Sequence, residues 1–216
     1  MHISSTICNC LDITFQSSGR QHLPAQKASM NPRELSVRKA KVDDLQKLSY
    51  NDYSFVVDSV AIGPFTGPRL SEFQNVEPYT KRYDLELSSM VQYLDRADVA
   101  LLIAVDGSDT PVGHLAVSKY WNGYASIDDI AVDAQVRRGG CASKLVDAAV
   151  GWARETGLPG LRAETQHNNA SACKFYERMG FKLAGYDAHL YDALPTDSAV
   201  KEQALFWYLH IPGSDK

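Results

Sequence analysis

The sequence predicts a mixed α/β domain in which a run of β-hairpins is followed by alternating helices and strands. Two apolar segments at 99–105 and 111–119 flank a short polar turn, a pattern typical of a β-hairpin. Two amphipathic segments at 141–155 and 169–179 have helical spacing, and a predicted strand follows each of them. Apolar residues make up 44% of the 216 residues, as expected of a globular chain that buries a core. We therefore expect a single domain over residues 32–212.

Hydrophobic periodicity and turn residues assign the elements in order along the chain. Strands are predicted at 35–40, 99–105, 111–119, 124–132, 161–166, 181–190 and 203–210. Helices are predicted at 41–52, 88–98, 141–155 and 169–179. Proline and glycine punctuate residues 61–84, so this segment is predicted to be a loop. In the third helix Leu145, Ala149 and Trp152 recur at helical spacing, and Gly157 ends the helix.

Residues 1–31 differ from the rest of the chain because they are rich in Ser and Gln and lack apolar periodicity. No basic segment precedes their apolar stretch at 3–15, so the pattern does not favour a secretory signal peptide. We predict a disordered leader at 1–31, with Met30 as an alternative start of the working protein.

Charge and cysteine content narrow the classes of partner. The net charge is −4, which disfavours a nucleic-acid partner and favours cationic ligands. The longest apolar run, 99–105, is too short to span a bilayer, so no membrane partner is expected. The four cysteines show no metal-binding spacing, and Cys8 and Cys10 are too isolated to hold a metal; we expect a reducing, cytoplasmic location and no metal site. A homodimer is left open.

The turn before the third helix carries the first chemical signal. Gly139 and Gly140 lie directly before the helix, so backbone N–H groups of the turn and of the first helical turn can point at one ligand. Such a nest suits phosphate oxygens, and Arg137 and Arg138 add positive charge. A Walker loop and a dinucleotide fingerprint are both absent. From the glycines alone, a phosphate site and a plain turn are equally open.

Two motifs in this region resemble the GNAT acyltransferase superfamily, which binds acetyl-CoA. The segment Arg137-Arg-Gly-Gly-Cys-Ala142 is similar to its pyrophosphate loop, Q/R-x-x-G-x-G/A, although Arg138 stands where glycine is common. The segment from Asn169 to Phe181 is similar to its N-x-x-A-x-x-F/L-Y-x-x-x-G-F motif. The resemblance implies a mostly antiparallel central sheet that is flanked by helices and splayed between two parallel strands, with acetyl-CoA as cosubstrate.

The same resemblance implies which residues contact coenzyme A. They are Ile130, Ala131, Val132, Arg137, Arg138, Gly139, Gly140, Cys141, Ala142, Ser143, Asn169, Ala172 and Tyr176. Tyr176 is at the position of a tyrosine that protonates the departing thiolate, and an aromatic residue of the core is the equal alternative. Asn169 is at the position of a pantetheine contact, with a helix cap as the alternative.

Further segments are similar to the streptothricin acetyltransferases, which acetylate an amine on the β-lysine arm of that antibiotic. These segments are 77–83, 121–125, 127–132, 164–169, 172–176 and 204–209. The resemblance implies a small cationic amine as substrate, with a polyamine, a protein amine or a non-catalytic acyl-CoA-binding role as alternatives. The implied substrate-binding residues are Tyr79, Tyr83, Asp84, Trp121, Asp128 and Glu164.

An amine must lose a proton before it attacks a thioester, because an alkyl ammonium has a pKa of about 10. Asp128 and Asp129 are adjacent on a predicted strand, so a regular strand points them to opposite faces, with Asp128 on the face of Ile130. The resemblance favours Asp128 as the base and Asp129 second; the alternative is that either acid pairs with an arginine or attracts the substrate. Cys141 and Cys173 are expected to be packed small residues, so transfer is expected to be direct.

Overall fold

The computed structural model describes residues 35–83, 85–193 and 201–213. The strands in these residues are β1 (Ser36–Lys39), β2 (Phe55–Ile62), β3 (Glu72–Lys81), β4 (Val99–Val105), β5 (Pro111–Lys119), β6 (Ala125–Val132), β7 (Gly160–Gln166), β8 (Lys182–Asp187) and β9 (Ala204–His210). The α-helices are α1 (Val42–Leu48), α2 (Leu87–Met90), α3 (Cys141–Glu155) and α4 (Ala170–Arg178). Short 3-10 turns lie at Val91–Tyr93 and Ala134–Val136. The predicted leader at 1–31 lies outside the described residues.

A seven-stranded sheet in the order β1-β4-β5-β6-β7-β9-β8 forms the centre of the fold. Neighbouring strands of this sheet run antiparallel except β6 and β7, which run parallel. The predicted fold class, a mostly antiparallel sheet flanked by helices with one parallel pair, is confirmed. None of the helices in the described residues combines the length and hydrophobicity needed to cross a lipid bilayer.

The predicted loop at 61–84 is wrong over half of its length, because residues 61–62 and 72–81 belong to strands. Strand β3 pairs with β2 in a separate antiparallel hairpin, with Phe55 opposite Lys81 and Ile62 opposite Glu72. The register shifts between Val57 and Ser59, opposite the part of β3 that holds Pro78. A bulge tolerates a residue that has no N–H to donate, and this is why proline inside the segment did not prevent a strand.

Two predicted helices are shorter than expected. The first ends at Leu48 rather than at residue 52. The second consists of α2 and one 3-10 turn that ends at Tyr93, instead of continuing to residue 98. Asp95 has a φ of 54°, a left-handed conformation that a right-handed helix cannot contain. The helix predicted at 141–155 is confirmed at both ends.

The two faces of the sheet bury different clusters. On the α3 face, Leu115, Val117 and Ile127 pack in one apolar cluster with Leu145 and Trp152 of α3. Residues of α4, including Cys173 and Tyr176, belong to the same cluster.

On the opposite face, here called the α1 face, Leu101 packs with Leu45, and Ile103 packs with Leu48 of α1. Residues paired across an antiparallel ladder share a face, so the register assigns each functional side chain to one of these two sides.

Candidate active site

The parallel strands β6 and β7 separate soon after they meet. Their pairing consists of Ala125 with Leu161, Ser126 with Arg162 and Ile127 with Ala163. Beyond Ile127, the rest of β6 continues to pair with β5 on its other side. The splay predicted between two parallel strands is therefore confirmed. It opens beside residues 128–132, which include Ile130, Ala131 and Val132, where the family resemblance implies contacts with the pantetheine arm.

A β-bulge in β6 lies where the strands part. Ile127 pairs with Val117 and Asp129 pairs with Ala116, so Asp128 is an extra residue without a partner of its own on β5. Since Val117 belongs to the α3 face and Ala116 to the α1 face, the bulge carries Asp129 onto the α1 face. The prediction that Asp128 and Asp129 point to opposite faces is wrong, because it assumed a regular strand.

Asp128 also contacts residues of the α1 face. Its Oδ2 accepts a hydrogen bond of 3.0 Å from the phenol of Tyr93, which packs with Leu101 and Ala116. It does not share the face of Ile130, which pairs with Leu115 of the α3 face. Burial raises the pKa of Asp128 above its ordinary value, and hydrogen bonds from Ser118, Ser126 and Tyr93 oppose that rise. A carboxylate with a raised pKa is better matched to accept a proton near neutral pH.

Asp129 is paired with a histidine that sequence reasoning did not single out. Its Oδ2 lies 2.8 Å from Nε2 of His114, a residue of β5. The His114 side chain is 1% exposed, whereas the Asp129 side chain is 38% exposed. The ring of Tyr53 meets the imidazole edge-on, with 5.2 Å between the ring centroids. One end of this pair is thus in the core and the other meets solvent.

Glu164 is the third acid, on the opposite wall of the splay. It lies two residues after Arg162, which pairs in register with Ser126, so both side chains project from the same side of β7. Tyr191 donates a 2.7 Å hydrogen bond to Glu164 Oε1, and the Arg162 guanidinium lies 3.6 Å from Oε2. Arg162 donates to Ser126 Oγ at 3.2 Å, and its charge favours the ionised form of Asp128. Arg162 therefore lies between Glu164 and Asp128.

The predicted pyrophosphate loop has the conformation that an anion site requires. Arg138 and Gly140 have φ angles of 65° and 80°, and residues 137–140 are exposed. Gly140 is the N-cap of α3, whose first turn contains no acidic residue to repel an anion. N–H groups of that turn, from Cys141, Ala142 and Ser143, lack partners within the helix. The residues of the loop therefore fit a diphosphate.

Arg137 has a structural role in addition to its charge. Its guanidinium donates to the carbonyl oxygen of Val132 at 3.0 Å and to that of Ser54 at 2.6 Å. These two bonds fasten the loop to the end of β6 and to the chain before β2.

Burial raises the pKa of the thiols of Cys141 and Cys173 to about 11, so both hold their protons at neutral pH.

Asn169 and Tyr176 have structural roles at the start of α4 and within it, a helix cap and a core aromatic residue. Asn169 caps the helix, since its Oδ1 accepts a 3.0 Å hydrogen bond from the backbone N–H of Ala172. Tyr176 is 2% exposed and packs against Phe181 and Trp207, with ring centroids 4.9 Å and 6.3 Å away. Their predicted contacts with coenzyme A remain predictions.

The β2–β3 hairpin brings two predicted substrate-binding residues to the end of β7. Tyr83 donates to Gln166 Oε1 at 2.9 Å, and Asn168 donates to the hydroxyl of Tyr79 at 3.1 Å. Sequence reasoning missed Gln166 and Asn168 as site residues, although both lie in the segment 164–169 that carries the resemblance.

The other predicted substrate residues are positioned differently. Trp121 is 85% exposed on the turn between β5 and β6, where its ring contacts Tyr120 at a centroid distance of 5.8 Å. Tyr120 in turn lies 4.4 Å beneath the guanidinium of Arg162, so these two residues connect Trp121 to the acids. Asp84 lies outside the described residues.

A splayed parallel pair, together with a turn at the start of α3 whose conformation fits an anion, is typical of an acyltransferase fold. Residues 68–181 match the Acetyltransferase (GNAT) family. The chain belongs to this family, which confirms the predicted class, an N-acetyltransferase with acetyl-CoA as cosubstrate.

Several of the similar proteins are streptothricin acetyltransferases. Streptothricin acetyltransferase A of Bacillus subtilis (strain 168) is 35% identical over 132 residues, which are 61% of this chain and 73% of that protein. The structure of a Bacillus anthracis protein assigned as a streptothricin acetyltransferase, in complex with acetyl coenzyme A, is 33% identical with a TM-score of 0.72. That match covers 82% of this chain and 99% of the other. The structure of a nourseothricin acetyltransferase is 30% identical with a TM-score of 0.69, covering 83% of this chain and 99% of the other.

Proposed function

We propose that this protein inactivates streptothricin by acetylating a primary amine of the antibiotic. The observation that carries the proposal is the set of three carboxylates, Asp128, Asp129 and Glu164, which lie on the α1 face of the two strands that form the splay. A substrate with several cationic groups needs more than one anion to hold it, and one further base to deprotonate the attacking amine. The names of the similar proteins support the choice of streptothricin among such amines.

Asp128 is proposed as the general base. Its carboxyl group is largely enclosed, and its pKa is raised by burial toward the range in which a base works at neutral pH. Hydrogen bonds from Tyr93 and the two serines hold the carboxylate in one orientation. Asp129, the second candidate in the sequence, is more exposed and is assigned to binding the ammonium group of the substrate.

The splayed end of β6 and the turn before α3 are proposed to hold coenzyme A. Backbone N–H groups of the turn at 138–143 bind the diphosphate, and the backbone of Ile130, Ala131 and Val132 pairs with the pantetheine arm. Acetyl-CoA supplies an activated thioester. Tyr176 is proposed to protonate the departing thiolate, and Asn169 and Ala172 border the arm. Cys141 and Cys173 keep their thiol protons, so transfer is direct.

The substrate's remaining groups are proposed to meet Tyr79, Tyr83, Glu164 and Trp121. Aromatic faces attract cations, and the carboxylate of Glu164 offers a second charge. Asp84, which follows Tyr83 in the chain, is retained as a further candidate anion.

The proposal is tested by incubating the purified protein with acetyl-CoA and streptothricin. Free thiol release and a mass gain of one acetyl group on the antibiotic are expected. Spermidine and a lysine-containing peptide serve as competing acceptors in the same assay, because they carry primary amines without the antibiotic's ring system. Turnover of either competitor with no turnover of streptothricin would reject the proposed substrate while leaving the acetyltransferase class intact.

A further inference from the structure

We propose that His114 is a positioning residue that fixes the carboxylate of Asp129 as the anchor for the substrate's ammonium group. The proposal rests on the proposed function, because it refines how the amine is held. Nothing in the sequence pattern singles out His114, which lies in a strand whose first seven residues are all buried. The geometry of the pair, and one unpaired atom in it, carry the inference.

The pair spans the boundary between the core and the α1 face. Nε2 of His114 lies 2.8 Å from Oδ2 of Asp129, and only the Asp129 side chain is substantially exposed. An ionised carboxylate only accepts hydrogen bonds, so the imidazole donates from Nε2 and carries its hydrogen there. The edge of the Tyr53 ring packs against the imidazole and restricts its rotation. Asp129 Oδ2 is therefore held, and Oδ1 remains to receive a ligand.

The second observation is that His114 places an unpaired polar atom in the core, which is energetically unfavourable. Its Nδ1 is buried and has no hydrogen-bond partner among the described residues. An apolar side chain of similar size would pack in the strand without leaving a polar atom unpaired, so packing alone does not explain a histidine here. The hydrogen bond to Asp129 is the interaction that a histidine can make here and an apolar side chain cannot. Because Nδ1 is enclosed, the ring has no route for passing a proton onward, which favours a positioning role over a relay.

A fixed carboxylate binds an ammonium group better than a mobile one, since less side-chain freedom is lost on binding. The effect falls on substrate affinity and leaves the chemical step to Asp128. Tyr53 and Asp128 are ionisable groups near the pair, and Asp129, Asp133 and Cys141 act on Tyr53 electrostatically. All of these groups are retained in the variants below.

The test compares His114→Gln with His114→Met. The two new side chains have similar length and flexibility, but only glutamine can donate an N–H to Asp129. We expect His114→Met to raise KM for the amine about tenfold, the scale of losing one hydrogen bond to a charged group. His114→Gln is expected to stay within about twofold of the wild type in KM, and both variants to keep kcat and KM for acetyl-CoA. Equal KM values in the two variants, or a loss confined to kcat, would overturn the proposal.

Two controls separate this test from the proposed function and from misfolding. If the wild type acetylates another amine instead of streptothricin, the proposed substrate fails, and the same comparison is made with that amine. Nitrogen NMR of the wild-type protein provides a measurement that needs no substrate or variant. The expected signal is a His114 ring with hydrogen on Nε2; hydrogen on Nδ1 alone would contradict the assigned bond.

Discussion

The phenol of Tyr93 donates a hydrogen bond to Oδ2 of Asp128 at 3.0 Å, and so connects the 3-10 turn after α2 to the bulge in β6. The bulge leaves Asp128 without a register partner on β5, and Tyr93 helps to fix the orientation of its carboxylate. A group on one element thus adjusts the proton affinity of a candidate base on another, and this adjustment can be measured.

Replacing Tyr93 by phenylalanine removes that hydrogen bond but keeps an aromatic ring in the cluster with Leu101 and Ala116. Tyr93 favours the ionised form of Asp128, so its loss raises the pKa of the carboxyl further. Since the base acts when ionised, the acid limb of kcat/KM against pH is expected to move upward by up to about one unit. An acid limb at the wild-type pH would count against Asp128 as the base.

Replacing Asp128 by asparagine removes the proposed base and keeps the size of the side chain. We expect kcat to fall by about 10² to 10⁴, the usual contribution of general base catalysis. The matched control is Asp129→Asn, which is expected to raise KM for the amine with a much smaller change in kcat. Steady-state rates at saturating acetyl-CoA measure both, and a larger loss of kcat in Asp129→Asn would exchange the two roles.

The same Asp128→Asn variant makes a prediction about stability. Burial raises the folded-state pKa of Asp128 above the ordinary value of 3.8, so the folded protein binds this proton more tightly than the unfolded chain. The contribution to stability is full below 3.8 and is lost as pH rises through the folded-state pKa. The asparagine variant should therefore gain stability relative to the wild type between about pH 4 and pH 7. Urea unfolding at both pH values measures the difference, and a constant difference would mean that the pKa is not raised.

The left-handed backbone of Arg138 predicts a stabilising substitution. At a φ of 65°, a side chain with a Cβ costs about 1 kcal/mol, and glycine avoids that cost. Arg138→Gly is expected to raise the free energy of unfolding by about that amount and to weaken coenzyme A binding through loss of charge. Arg138→Ala is the control, because it loses the charge but keeps the Cβ. Equal stabilities of the glycine and alanine variants would show that the conformation stores no strain.

At Gly113, adding a Cβ is expected to destabilise the fold. A Cβ there would lie 2.9 Å from the carbonyl oxygen of Ala131 and 3.3 Å from Sγ of Cys141. Gly113→Ala is expected to destabilise the fold by about 1–3 kcal/mol and to weaken coenzyme A binding by displacing the end of β6.

The control is Gly151→Ala in α3, where an added Cβ meets no atom within 4 Å in the described part of the chain, apart from neighbouring residues and the helix's own backbone. It should stabilise the helix by about 0.5–1 kcal/mol. Thermal unfolding and calorimetric titration of coenzyme A measure both variants. A Gly113→Ala variant as stable as the wild type would contradict the packing at this site.

The parts of the fold that were predictable are those with strong local signals. The α3 helix has apolar residues at regular spacing, a glycine before its first residue and Gly157 after its end, and both ends were predicted correctly. The splay and the acyltransferase class came from the motifs around Gly140 and Tyr176 rather than from periodicity. These motifs describe contacts with a ligand, which local propensity does not encode.

The parts that were missed depend on pairing between distant segments. The β2–β3 hairpin contains Pro78 in a bulged region, and hydrogen bonds join it and Tyr83 to Gln166 and Asn168 at the end of β7; no local pattern reveals these contacts. The bulge at Asp128 arises because β6 has one residue more than β5 between two paired positions. A single extra residue cannot be seen in the alternation of one strand, and it was enough to reverse the assigned face of Asp129.

Because β6 and β7 share three rungs and then diverge, the sheet has an unpaired margin in its interior as well as along its outer strands. Outer margins are open to any polypeptide and are a hazard for aggregation. The edges of β6 and β7 that face each other are enclosed on both sides. They leave room for one narrow extended chain, which can form hydrogen bonds with the backbone amides of these strands. The gap between β6 and β7 therefore favours an extended, unbranched chain over a bulky molecule, whatever the charge of either.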